Sequence, residues 1–439
     1  MMDLLSGIRV DKNRYIFIIN ADLREVFPED FWYEYSEPFE NLPEWVLQIP
    51  LLANVAPVVW LMGLKVQISQ CEKTFWDSLL DLKKVFKQLY PQFSWDGEIA
   101  CKDIFVASDP YKKNKQTGLL FSGGLDSVTT LIRHHKENPL LLCVNGADVA
   151  LDDLARWRSL RENTINVAFR FGLKPIFVTS NFRTFLNRNL LKETIKEVSE
   201  KDWWTGFQHG WGFSGFLVPL LWDSNGAIGY IASSDAWEDL SLIGSRPDID
   251  ECLKWRGGQI IHDGTEYRRH EKVNYLCNQE KLGVWVPELK VCLRSFAAGE
   301  NCCMCEKCAR TIATVLTVGN NSPKSFGFSE YEKMGKDWLP VFKRNVEKGR
   351  FLFDSDWDVI QRDIKNLDWY RSKGLIDYQL EFIEWMRTVD FDALREARNV
   401  KKSSRIPTPK WLKKMGGWIK LPKPLFMRVI WNRLKDRYF

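Results

Sequence analysis

The chain lacks a long uninterrupted apolar run. Its most apolar stretch, Trp45 to Gly63 (WVLQIPLLANVAPVVWLMG), is barely long enough to span a bilayer and is broken by Gln48, Pro50, Asn54 and Pro57. It is expected to be buried in a soluble domain, with no membrane span. The start, Met1-Met2-Asp3-Leu4-Leu5, lacks a basic region leading into an apolar core, so no signal peptide is expected and the protein is placed in the cytoplasm. Cysteines are not spread as a disulfide framework requires. Five of the ten lie between Cys292 and Cys308, which points to a metal site in a reducing compartment. Acid is nearly missing from residues 401–439, where twelve Lys or Arg face only Asp436. That tail is +11 in a chain whose formal net charge is +5, so the rest is acidic by about six charges.

The 439 residues are too many for one ordinary core, and two or three domains are expected. The twenty Trp run from Trp32 to Trp431, a spread that suits core filling more than one stacking site.

The stretch Phe121-Ser122-Gly123-Gly124-Leu125-Asp126-Ser127 sits between a short apolar strand, Gly118 to Phe121, and a helix opening at Val128. A glycine-bearing turn there leaves N–H groups at a helix N-terminus, an anion site before any side chain is counted. Ser122 and Ser127 add hydroxyls. Asp126 would repel phosphate unless Mg²⁺ stood between them. The Walker loop is excluded, because no Lys-Ser/Thr pair ends the turn. SGGLDS resembles the pyrophosphate loop (PP-loop) of the N-type ATP pyrophosphatases, which cleave ATP between the α and β phosphates. That resemblance implies ATP binding by Ser122, Gly123, Gly124, Leu125, Asp126 and Ser127, with Asp126 and Ser127 catalytic and Mg²⁺ as cofactor.

Along the chain, residues 1–106 read as a separate α+β unit. Tyr15–Ile19 and Leu64–Ile68 are its strands, and Phe75 to Leu89 recur at helical spacing. Asp109 to Lys115 reads as a linker. From residue 117 to 322 strands and helices alternate: Leu140–Val144, Ile176–Thr179 and Ile228–Ala232 are short apolar runs. A helix carrying Leu151, Leu154, Leu160, Ile165, Ala168 and Phe169 ends at Gly172. This predicts an α/β, doubly wound parallel sheet, with ligands at the C-terminal strand ends. Asn145–Asp148, Ser180–Asn181 and Ser233–Asp235 fall there, as candidates for adenine, ribose or a second substrate or equally as solvated loops. Gly210, Gly212 and Gly215 suit close packing on the sheet. His209 is either a base or structural. Asp263, Arg268, Arg269 and Lys272 are candidates for an anionic substrate, with a solvated helix face as the alternative. Residues 325–439 read as a helical region, with Trp338, Leu339, Phe342, Phe351, Trp357, Ile360, Ile364, Leu367 and Trp369 as core, ending in a basic aromatic tail. That tail suits nucleic acid, anionic lipid or an acidic partner, or simply packs on an acidic body.

Cys292, Cys302, Cys305 and Cys308 give C-x9-C-x2-C-x2-C, a spacing that lets four thiolates meet on one Zn²⁺. Cys303 could replace Cys302, and an iron–sulfur cluster accepts the same ligands. A PP-loop followed by this pattern resembles 7-cyano-7-deazaguanine synthase (QueC) over residues 118–320. The resemblance implies structural zinc on the four cysteines and adenylation of a carboxylate, 7-carboxy-7-deazaguanine, followed by amide and nitrile formation. Two features depart from QueC. The chain is about twice as long, and Asn145-Gly146-Ala147-Asp148 replaces a Tyr-Gly-Gln-containing segment. The CEKCART run and the His262-Asp263-Gly264 turn resemble enlarged relatives from antiviral-defence or polysaccharide gene clusters. In some of the former a deazapurine is joined to a partner protein. A tRNA-thiolase-like enzyme using the basic tail, a polysaccharide amidotransferase, and a scaffold with a degenerate PP-loop are the alternatives.

Overall fold

The computed structural model describes residues 1–39, 42–108, 116–196, 201–292 and 300–403. The linker expected at Asp109–Lys115 and the tail beyond residue 403 lie outside them. The chain divides into two units, residues 1–344 with 354–389, and residues 345–353 with 390–439.

In the first unit the strands are β1 Met2–Asp3, β2 Leu5–Asp11, β3 Arg14–Ile19, β4 Phe31–Tyr35, β5 Lys65–Glu72, β6 Glu98–Phe105, β7 Gln116–Leu120, β8 Leu140–Asn145, β9 Pro175–Ser180, β10 Gly226–Ala232, β11 Lys254–Trp255 and β12 Gly258–Asp263. They form two sheets. A small parallel sheet has the order β1-β5-β6, and a nine-stranded mixed sheet runs β11-β12-β10-β7-β8-β9-β4-β3-β2. Its middle, β12-β10-β7-β8-β9, is parallel, and both ends are antiparallel. β8 is buried along its whole length, as a strand covered on both faces must be. Residues 1–106, expected as a separate unit, supply three strands to this same sheet. β4 joins β9 through Tyr33–Ser180 and Tyr35–Val178.

The helices up to the second half are α1 Glu44–Leu61, α2 Lys73–Leu89, α3 Leu125–His134, α4 Leu154–Phe171, α5 Arg188–Ile195, α6 His209–Ser214, α7 Leu217–Asp223, α8 Pro247–Asp250, α9 Arg269–Lys281 and α10 Glu306–Thr317. The apolar stretch forms α1, the one helix among the described residues long and apolar enough to cross a membrane. Every residue of it after Glu44 is buried inside the protein. Pro50 and Pro57 each remove one helical N–H. Asn54 Nδ2 donates to Pro50 O at 2.8 Å and to Gly212 O at 3.3 Å. Gly212 and Gly215, expected to pack on the sheet, pack on α1 instead. A Cβ on Gly212 would stand 2.4 Å from Asn54 Oδ1, and one on Gly215 would stand 2.9 Å from Ala53 Cβ.

α4 ends as expected at Gly172, whose φ of +67° lets its N–H reach Ala168 O and Phe169 O. Of the residues that marked the helix, Ala168 is buried but most of the others are not. Thr164, Val167 and Ala168 are covered, whereas Leu154, Ile165 and Phe169 are exposed.

The helical C-terminal part of this unit holds α11 Ser329–Met334, α12 Trp338–Glu347, α13 Ser355–Arg362, α14 Leu367–Ser372 and α15 Asp377–Thr388. Trp338, Leu339, Phe342, Trp357 and Ile360 are buried as expected, while Ile364, Leu367 and Trp369 are only partly covered. Trp338 stacks on Phe342 at 5.0 Å and meets Phe382 edge-on. The second unit contains α16 Phe391–Ser403. Within it Phe351 is buried, Phe353 packs on Phe391, and Arg395 Nε donates to Phe353 O at 2.6 Å.

Candidate active site and metal centre

The chain leaves β7 for β8 and β9 on one side and returns to β10 on the other. Neighbouring loops after β7 and β10 therefore diverge, which opens a crevice where ligands bind sheets of this kind. The loop Phe121–Gly124 lies at that point. Phe121 is buried and anchored by its N–H to Leu142 O at 2.8 Å. Gly123 has φ +74°, open to glycine at little cost. A Cβ there would come within 2.8 Å of Asn163 Nδ2, itself a buried donor without an acceptor among the described residues. Gly124 caps α3, and Gly124 O accepts the first helical N–H, from Val128. The N–H groups of Leu125, Asp126 and Ser127 thus have no acceptor within the helix. Ser122 Oγ and Ser127 Oγ stand 3.2 Å apart, and Ser127 Oγ donates to Gly124 O. The donors and the positive helix end suit a phosphate chain.

Lys272 connects the two sides of the crevice. Its Nζ lies 2.8 Å from Asp126 Oδ1 and donates to Ser233 O, after β10, at 2.5 Å. The Lys272 side chain is 1% exposed and that of Asp126 is 26% exposed. Burial pushes the Asp126 carboxyl up, but Lys272, Arg269 and Arg310 outweigh it and hold the group below its ordinary value. Asp126 is therefore a carboxylate, and its Oδ2 makes no hydrogen bond among the described residues. That oxygen fits the role of a Mg²⁺ ligand.

The other candidates separate. Arg269 joins the site, its Nη2 donating to Thr311 Oγ1 at 3.3 Å. Arg268 is turned away, held by Glu238 and by Asp239 at 2.7 Å. Asp263 is 6% exposed and enclosed by three neighbours. Thr130 Oγ1 donates to it at 2.7 Å, His134 Nε2 lies at 3.0 Å and Arg133 Nη2 at 3.2 Å. Asp263 serves to hold α3 against β12, not an open site. Ser180 and Asn181 bind β4: Ser180 Oγ donates to Trp32 O, and Asn181 Oδ1 accepts from Trp32 N. His209 sits edge-on between Trp204 and Phe213, and burial above all lowers its pKa. His262 is buried against Asp250 at 2.8 Å.

The His134 pair gives a pH test. Burial lowers the imidazole pKa, but the bonds to Asp263 and Glu137 win and raise it above its ordinary value. A raised histidine contributes stability that is complete below about pH 6.5 and is lost as pH rises through the folded-state value. Urea unfolding should show wild type exceeding His134→Gln by more at about pH 5.5 than at about pH 8.5. An equal margin at both would reject the pairing.

The four cysteines Cys292, Cys302, Cys305 and Cys308 converge, with all their Sγ atoms within 4.8 Å of one another. Cys292–Cys305 is 3.8 Å and Cys302–Cys308 is 4.0 Å. Tetrahedral Zn–S bonds of about 2.3 Å set the sulfurs about 3.8 Å apart, so the group can hold an ion such as zinc. Thiolates on separate irons of a cluster stand farther apart. Cys303 is excluded: it is fully buried, its Sγ turns to Asn301 O at 3.4 Å, and burial pushes its thiol up to about 12.

Three residues not singled out from the sequence complete the centre. Buried Asn301 accepts from Val291 N and Cys292 N through Oδ1 and donates to Leu289 O and Gly327 O through Nδ2. Lys290, two residues before Cys292, donates its N–H to Gly123 O at 2.7 Å. Arg310, one turn into α10 beyond Cys305, is buried between Asp354 and Asp356, each at 2.6 Å. The cysteine centre thus touches the glycine loop through Lys290, and through Thr311 of α10 it meets Arg269 of α9, the helix that carries Lys272. No sequence pattern announces these links, because each joins segments far apart in the chain.

The chain matches none of the protein-family models, curated proteins or solved structures with which it was compared.

Proposed function

We propose that the protein is an ATP-dependent ligase of the 7-cyano-7-deazaguanine synthase (QueC) kind, built on a doubly wound PP-loop sheet. The observation that carries this reading is SGGLDS standing at the crevice between β7 and β10, one hydrogen bond from a four-cysteine centre. Each motif alone is weak support; the two together are what resembles QueC, and the hydrogen bond from Lys290 N–H to Gly123 O places them side by side.

In this reading the triphosphate of ATP lies along Ser122–Ser127. The N–H groups at the start of α3 and the Asn163 amide take up charge on its oxygens. Asp126 Oδ2 would hold Mg²⁺, which supplies charge neutralisation between the phosphates. Lys272 keeps Asp126 aimed and ionised. A substrate carboxylate attacks the α-phosphorus, and the bond to the bridging oxygen breaks to release pyrophosphate. An amine then attacks the acyl carbon and AMP leaves. Ammonia as the amine gives an amide; adenylation of the amide oxygen by a second ATP, followed by loss of two protons and departure of that oxygen with AMP, then gives a nitrile, whereas a protein amine gives a conjugate. The spacing of the sulfurs favours this ligase over a thiolating enzyme with an iron–sulfur cluster.

ATP–pyrophosphate exchange tests the proposal. Exchange should appear only with a carboxylate from a panel that includes 7-carboxy-7-deazaguanine, and should vanish in Asp126→Asn. Absence of exchange with every carboxylate, with and without co-expressed neighbouring proteins, would sink it.

A further inference from the structure

Helix α4 exposes three large apolar side chains on one flank. Leu154, Ile165 and Phe169 are 66%, 46% and 82% exposed. Arg158, Arg161 and Glu162 are exposed too, and all six fall within about 100° of the helix circumference. The flank lies about a third of a turn from the buried Thr164, Val167 and Ala168. Single apolar residues on a surface are ordinary, but three along about 22 Å of one helix make a patch of the kind at which proteins associate.

A hollow of about 380 Å³ on this flank is lined by Leu154, Trp157, Arg158, Arg161, Glu162 and Ile165. The Trp157 ring meets Phe177 edge-on at 5.9 Å, and the Arg161 guanidinium lies 4.7 Å over the same ring. Arg158, Arg161 and Glu162 make no ion pair among the described residues.

The order of residues along the flank identifies what covers it. The pattern is complementary to itself about the point between Arg161 and Glu162. Two copies of α4 laid antiparallel about a twofold axis at that point bring Leu154 opposite Phe169, Arg158 opposite Ile165 and Arg161 opposite Glu162, each pair made twice. The apolar ends then cover each other, with Phe169 of the second copy beside Leu154 at the hollow. The Arg158 stem lies along Ile165 with its charge in water. Arg161 and Glu162, unpaired within one copy, neutralise each other across the axis. The basic tail is a poorer occupant, because the flank itself holds two arginines against one glutamate.

We propose that this flank of α4 is the contact between two copies of the chain in a twofold dimer. The inference is independent of the ligase reading. α4 also carries Asn163, which stands against Gly123, so the contact lies on the helix that touches the glycine loop.

Sedimentation velocity of the full chain between about 1 and 100 µM tests the contact, a range that suits a single helix pair at the small end of specific interfaces. Wild type should be dimeric at the upper end. Phe169→Glu should bind its copy at least about 10-fold more weakly. Arg161→Glu and Glu162→Arg each set like charges opposite one another twice and should weaken the dimer as well. Arg161→Glu/Glu162→Arg re-forms both pairs in reverse and should restore it, a rescue that misfolding cannot produce. A dimer indifferent to all these changes, or a double variant no better than the single ones, would overturn the pairing. Wild type that stays monomeric at about 100 µM would overturn it too and leave the flank to a different protein.

Discussion

Asp126→Ala should destabilise the protein more than Lys272→Met, although the two residues form one ion pair. The reason is which partner is left behind. Without Asp126 the Lys272 ammonium, 1% exposed, retains only Ser233 O. An orphaned buried charge of this sort costs about 3 kcal/mol. Without Lys272 the Asp126 carboxylate still reaches water, being 26% exposed, and the loss falls to about 1 kcal/mol. The double variant should return to within about 1 kcal/mol of wild type, because neither charge is then stranded. Activity should not follow stability: all three variants should lose pyrophosphate exchange by roughly 100-fold or more, since each lacks the carboxylate that aims at the metal, the ammonium that holds it, or both. Urea unfolding followed by Trp fluorescence, with exchange measured on the same preparations, reads both. The reverse order of stability would mean that Lys272 is not the buried partner.

Loss of the metal should be felt at the glycine loop. Purified protein is expected to carry about one zinc per chain and to be colourless. Cys305→Ser should release the zinc and lower the melting temperature by about 10 °C, as a structural site couples binding to folding. Cys303→Ser should keep the metal, because its thiol lies outside the group of four. Lowering the pH should weaken binding, since each thiolate must give up the metal to take a proton. The further expectation is specific to this chain. Exchange activity should fall together with zinc content, because Lys290 N–H is held to Gly123 O by a segment that ends at Cys292. Retained activity in a zinc-free, folded variant would break that link. A brown protein with bound iron and sulfide would replace the zinc assignment altogether.

What could be read from the residues alone was mostly local. The parallel strands declared themselves as short apolar runs, α4 ended at its glycine, and the cysteine spacing named its own four ligands apart from the choice between Cys302 and Cys303. Readings that required distant partners were less secure. Arg268, Arg269 and Lys272 looked like one cluster by proximity. α9 begins at Arg269, so Arg268 precedes the helix and points to Glu238 and Asp239, while Lys272, one turn on, faces Asp126 146 residues earlier. Asp263 was a candidate for the same substrate, yet its three partners, Thr130, Arg133 and His134, lie on α3. Ser180 and Asn181, at the end of a parallel strand, read equally as a ligand loop or a solvated loop. They bind β4 because that antiparallel strand joins the sheet beside β9, a pairing that no local pattern foretells.

The buried helix α1 bears on how the chain acquires its structure during synthesis. It is covered on every side, by the small β1-β5-β6 sheet and by α6 and α7. The edge formed by β2, β3 and β4 waits for β9. A nascent chain that has reached about residue 106 therefore carries an apolar helix and a sheet edge whose partners have not yet been made. Pairings of such long sequence separation close late and slowly. Until about residue 223 is out, this nascent segment is the part of the molecule that most needs a chaperone's cover.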